Sequence, residues 1–184
     1  MITMKKAFEV FFEKQKKAHQ KFFGTNPTVT PTEDMDKSMI ISPPDGEGYV
    51  EWVPKLQSQA VDWPAIEKDL GFVLGNEIKT YYSTYLFFQL DGELKDKRLF
   101  FRPIYNEHAI PALVKLQYDY SQYVFPNTQR FMLASTAIGQ SDSFYVHYDN
   151  LTGQVFCYDS EIDKNIDLPG SLTEIIYTMD GCVG

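Results

Sequence analysis

Cysteine is scarce: 184 residues hold two, Cys157 and Cys182. Small domains that depend on disulfides carry cysteines in larger even sets, so the sequence predicts two free thiols in a reducing cytoplasm. Cys182 stands in the terminal DGCVG, where fraying is expected. Histidine is scarcer than its chemistry would need. His19, His108 and His147 fall in three separate segments and read as surface or packing residues. No paired C-x-x-C, H-E-x-x-H or calcium-loop spacing is present, so no metal is expected. Long apolar runs are missing too. The longest is Tyr85 to Phe88, far short of the ~18 residues of a membrane span. The N-terminus mixes lysine with phenylalanine and does not read as an export signal. Basic residues are the minority, 17 against 25 acids, for a net charge of -8. That disfavours nucleic acid, whose binding is driven by cationic neutralisation of phosphates.

Hydrophobic residues make up an ordinary 43 %, and aromatics are abundant, with 14 Phe and 12 Tyr. The length suits one domain over residues 1–184. Residues 3 to 22 are predicted to be helical, with apolar positions Met4, Phe8, Phe11, Phe12, Ala18, Phe22 and Phe23 near a 3.6 period, ended by Gly24. This helix carries six lysines against two acids. It reads first as a helix packed on the body with a solvated lysine face, and second as a helix touching anionic lipid.

Residues 25 to 47 are rich in Pro, Thr, Asp and Gly and form a long connection, with a short strand at Met39 to Ile41. Tyr49 to Val53 is predicted as a strand closed by Pro54. Two short helices follow, capped by Asp62 and Asn76. Next come Tyr85 to Leu90, an Asp91-Gly92 hairpin turn and a return strand over Leu99 to Ile104. A helix is predicted over Glu107 to Gln122. Strands follow at Arg130 to Ala137, Phe144 to Tyr148 and Val155 to Tyr158. A last helix begins at the Ser171–Glu174 capping box. Hairpin-joined strands with helices set apart imply α+β with a mainly antiparallel central sheet flanked by helices. Tyr49, Trp52, Tyr81, Phe87, Phe100 and Phe131 are the expected core, with Trp52 and Glu51 on opposite sides of their strand.

No motif for catalysis or phosphate binding emerges. Gly139 to Ser143 lacks the second glycine of a nucleophile elbow, and Cys157 sits among acids that oppose a reactive thiolate. The expectation is a chain with no catalytic residue and no cofactor. What stands out is acid clustering. From Gln140 to Gly184 eight acids face one base, Lys164. This reads either as a solubilising face or as a docking face for a basic protein. The candidate partner-binding residues are Glu51, Asp91, Glu93, Asp142, Asp149, Asp159 and Glu161, with Tyr81, Tyr82 and Tyr145 as desolvated anchors.

The stretch AIEKDLGFVLGNEIKTYYSTYLFFQLDGEL resembles the signature of the SUKH superfamily, with Glu67, Leu70, Gly71, Tyr81, Tyr82 and Asp91-Gly92 carrying the match. Within it, MIISPPDGEGYVEWVPKL and EIKTYYSTYLF resemble the Syd family through Ile40, Ile41, Tyr49, Trp52, Pro54, Ile78, Tyr81, Tyr82 and Thr84. The resemblance implies an α+β fold without enzymatic activity. It implies a cytosolic protein that binds the SecY translocon from the cytoplasmic side, an acidic concave surface meeting basic loops. Membrane contact would be peripheral at most. Leu86, Phe87, Phe88 and Gln89 stand where Syd proteins carry small residues, as in the broader SUKH group. Many members of that group are immunity proteins that neutralise a toxin domain, which is the alternative partner.

Overall fold

The computed structural model describes residues 2–138 and 141–182, the side chains at 138 and 141–143 excepted. Helix α1 spans Met4–Phe23, begun by the Thr3 hydroxyl accepting from the Lys6 amide and ended by Gly24 at φ 75°. Its buried stripe is Met4, Ala7, Phe8, Phe11, Phe12, Gln15 and His19. The first reading of this helix therefore holds: it is a core element whose lysine face looks outward. Phe22 and Phe23 depart from the expected stripe and are 64 % and 59 % exposed.

The chain then forms β1 (Thr28–Val29), a strand beyond the expected elements, which pairs with β2 (Val50–Glu51), the paired part of the strand expected over Tyr49 to Val53. Met39 to Ile41 is no strand. Lys37–Met39 makes a turn of 3-10 helix, and Ile40 forms a single bridge to Trp52. β3 (Lys55–Leu56) pairs with β4 (Tyr85–Leu86), and between them lie α2 (Trp63–Leu70) and α3 (Asn76–Thr84). The N-cap of α3 is Gly75, one residue earlier than expected.

The large sheet has seven strands. They are β5 (Leu90–Leu94), β6 (Lys97–Phe101), β7 (Arg130–Ile138), β8 (Ser141–Asp149), β9 (Val155–Asp159), β10 (Lys164–Asp167) and β11 (Asp180–Gly181). Their order is β10-β9-β8-β7-β6-β5-β11, every neighbouring pair antiparallel. Helix α4 (Ile110–Val124) follows β6, and α5 (Leu172–Thr178) precedes β11 with the full Ser171–Glu174 capping box. The protein is thus an α+β fold with a central antiparallel sheet flanked by helices.

The Asp91-Gly92 pair is not a turn. Both residues lie inside β5, and the hairpin closes at Lys95-Asp96 with Lys95 at φ 59°. Gly92 serves close approach instead. A Cβ there would stand 2.8 Å from the Phe11 ring and 2.9 Å from the Asp180 carbonyl oxygen. Helix α1 crosses the sheet at this point, which only a residue without a side chain allows.

The core is one contiguous apolar cluster running from α1 through α3 to the large sheet. Trp52, Tyr81, Phe87 and Phe131 belong to it as expected. Tyr49 does not, at 42 % exposure, because it precedes the first paired residue of its short strand. Phe100 does not either. Its neighbours Leu99 and Phe101 take the core face, and the period of two sends Phe100 to the other side. Trp52 is buried and Glu51 half-buried, so their alternation stands. Cys157 and Cys182 are both free and buried, and burial pushes the Cys157 thiol up to about 12. Cys182 is not frayed: its amide donates to the Asp91 carbonyl at 3.3 Å.

Candidate interaction face

Register decides which side chains share a face. Leu90, Gly92, Leu94, Leu99, Phe101, Ala134 and Val146 point to the core. The alternate residues line up across six strands on the opposite face: Asp91, Phe100, Ser135, Tyr145, Tyr158 and Asn165. This row places three aromatic rings between an acid and an amide. One flank of it carries Glu93, opposite Arg98, with Asp180 beyond. On the other flank the face closes. Phe125, just after α4, packs edge-on against His147, Phe156 and Tyr158, and the Ser121 hydroxyl lies 3.1 Å from His147 Nδ1. The part left open is therefore the middle of the row, Phe100, Ser135 and Tyr145, with the Glu93–Arg98 pair beside it.

Of the candidate residues, the sheet brings three together here: Asp91, Glu93 and Tyr145. Tyr145 is 38 % exposed. Glu93 is exposed and lies 3.8 Å from Arg98 Nε. Asp91 is largely buried beside Phe100, and desolvation pushes its carboxyl up to about 6 against the opposing pull of Arg98. The ionised form thus costs stability at neutral pH. A raised folded pKa stabilises at pH values below the unfolded one, about 4, and that contribution is lost as pH rises through about 6. Asp91→Asn should therefore stabilise the protein by about 2 kcal/mol at pH 7.5 and by little at pH 4. Urea unfolding at both pH values measures this; equal midpoints for the two proteins at pH 7.5 would contradict it.

The other candidates are used elsewhere. Tyr81 and Tyr82 are fully buried. Both project from α3 into the core, where Tyr81 touches the Phe8, Phe87 and Phe101 rings and the Tyr82 hydroxyl donates to Gln117. They cannot anchor a partner without opening the fold. Asp149 accepts from the Leu151 and Thr152 amides and pairs with Arg130 Nε at 3.0 Å, so it builds the β8–β9 turn. Asp159 is buried and accepts from the Glu161 and Ile162 amides in the next turn. Short acids at loop starts serve this turn-building role. Glu161 is exposed in that turn, beside Asp159 and off the row. Glu51 belongs to the small sheet and accepts from Asn26, at 3.0 Å to its amide and 2.7 Å to its side chain. The Asp142 side chain lies outside the described residues.

Sequence reading missed Phe100, Ser135 and Tyr158. The signal was available for Phe100, since in KRLFF the period of two gives Leu99 and Phe101 one face and Phe100 the other. Among the described residues no group of three or more His, Cys, Asp and Glu is placed to hold a metal ion, and no helix is long and apolar enough to cross a membrane. A hollow of about 580 Å³ between α1, α3 and α5 is lined by Glu77 and Glu174, whose carboxylates already accept from the Thr173 and Ser171 amides.

The profile of the Syd protein (SUKH-2) family matches residues 5–180. The chain belongs to the Syd family. The match takes in all but the first residue of α1, the small sheets and all but the last residue of β11, so the row on the open face lies within the family's own extent. No curated protein matches the chain. Syd membership also bears on the Leu86 to Phe88 segment. These side chains, which stand out against the Syd resemblance in the sequence, are buried, with Trp52 edge-on to Phe88 at 5.2 Å. Here the departure from the Syd pattern is a matter of core packing.

Proposed function

We propose that this chain is a non-catalytic, cytoplasmic protein-binding module whose open sheet face takes the basic cytoplasmic loops of the SecY translocon. Family membership supports a protein partner of this kind. The observation that carries the reading is the row Phe100–Tyr145–Tyr158 running from Asp91, with Glu93 and Asp180 along one side. Aromatic rings in a polar setting supply area that desolvates on contact, and acids around them select a basic partner and speed its approach. The Tyr158 hydroxyl donates to Asp163 at 3.0 Å, which orients that ring at the rim. A basic toxin domain meets the same requirements of charge. Of the residues read as departing from the Syd resemblance, Leu86, Phe87 and Phe88 are in the core and do not argue for that partner over SecY, and Gln89 is half-buried.

The test measures binding of the purified protein to SecY in lipid nanodiscs. Charge reversals must avoid the turn-building acids, since changing Asp149 or Asp159 would damage the hairpins. Glu93→Lys should slow association about threefold at low salt, and the effect should shrink as salt rises. Tyr145→Ala should weaken the complex about tenfold through faster dissociation. Binding that ignores both changes and ionic strength would remove the open face from consideration. Strong binding to a basic toxin domain, with none to SecY, would transfer the same face to the alternative partner.

A further inference from the structure

We propose that the C-terminal end of α1 docks on an anionic lipid surface. The first observation is charge segregation. Between Glu13 and Glu33 there is no acid, while Lys14, Lys16, Lys17 and Lys21 fall in this stretch of a chain whose net charge is -8. Lys16, Lys17 and Lys21 are exposed. Lys14 is spent inside, donating to the Tyr177 and Met179 carbonyls and pairing with Asp180 at 3.3 Å.

The second observation is independent of charge. Phe22 and Phe23 stand side by side at the helix end and are more exposed than any other phenylalanine among the described residues. Every other phenylalanine of α1 is buried. The Lys21 ammonium sits 5.6 Å from the Phe22 ring, and Phe23 lies 5.7 Å from the His19 ring.

The end is held, not loose. Gly24 closes the helix with its amide on the Gln20 carbonyl. Asn26 is fixed by Glu51, and the Pro27 carbonyl accepts from the Trp52 amide. The Glu51 carboxylate next to this end is occupied by the Asn26 amide and side chain. Two rings on a rigid end, ringed by lysines, match an interface where rings sit at headgroup depth and ammonium groups meet phosphates. The occupant is lipid because a negative bilayer answers both features at once. Each lysine near such a surface strengthens attraction about fivefold.

This inference is independent of the partner proposed above, since it needs no protein in the bilayer. Co-sedimentation of the full chain uses vesicles of phosphatidylcholine alone and of phosphatidylcholine mixed with phosphatidylglycerol. Binding is expected to the mixed vesicles and to be weaker by at least about tenfold on the neutral ones. Lys16→Glu, Lys17→Glu and Lys21→Glu together should abolish it, and Phe22→Ser with Phe23→Ser should weaken it about tenfold. All five side chains are exposed, so unchanged circular dichroism and unfolding midpoint show that the fold survives. Glu93→Lys should leave vesicle binding no weaker, which separates this site from the sheet face. Equal binding to both vesicle types, or binding that survives both sets of changes, overturns the proposal. So would a dimer that forms through Phe22 and Phe23 without vesicle binding.

Discussion

Replacing Phe8 by alanine is expected to destabilise the fold by about 3–5 kcal/mol, the range for deleting a buried aromatic ring. Phe8 has no exposed surface. Its ring centroid lies 5.6 Å from Phe12, 5.9 Å from Tyr81, 5.8 Å from Tyr85 and 5.7 Å from Phe87. These partners come from α1, α3, β4 and the segment after β4, so the hole left by alanine opens where α1 meets α3 and the β4 segment. The rings around it are rigid and held by one another, which limits collapse into the space. Phe22→Ala, in the same helix, should cost less than about 0.5 kcal/mol because the ring is already in water. Urea unfolding of the two variants beside the parent protein gives the comparison. A Phe8→Ala loss near that of Phe22→Ala would mean that α1 is not integral to the core.

Gly181→Ala is expected to be the costliest small substitution in the chain, about 3 kcal/mol or more. A Cβ at this position would stand 2.4 Å from the Gln15 Cα and 2.5 Å from its amide nitrogen. Both are backbone atoms of α1, so no rotamer change relieves the clash. Either α1 must lift from the sheet edge or β11 must leave β5, where Gly181 faces Gly92. Lifting α1 also withdraws Phe11 from its seat over Gly92. Hydrogen exchange should then show lost protection in α1 and in the β5–β11 pairing, with β8 and β9 retained. Parent-like stability and protection would show that the helix does not approach β11 this closely.

Much of the fold was legible along the chain because its signals are local. Helix α1 announced itself through period and lysine placement, and α5 through its capping box, because a helix closes its hydrogen bonds within itself. The long strands β7, β8 and β9 were legible from alternation and the turn between β8 and β9. The two-residue strands β1, β3 and β11 were not, since each is held by partners far away in sequence and carries no period of its own. The Asp-Gly pair misled for a related reason. Glycine marks a turn and a close approach alike, and only the position of Phe11 separates the two.

The candidate site divided along the same line. Tyr81 and Tyr82 were chosen as amphipathic aromatics, yet α3 is wrapped on several sides, and desolvation of their hydroxyls raises both pKa values. Asp149 and Asp159 were chosen for charge, but an acid at the end of a strand is placed to satisfy turn amides. By itself the sequence determined the Syd family, the α+β class, the acidic excess and the basic, aromatic N-terminal helix, all properties of residue type and near-neighbour spacing. Only the tertiary structure decided which acids and rings share a surface. That choice rests on strand register across six strands, and a slip of one residue in any of them would send that strand's member of the row to the core.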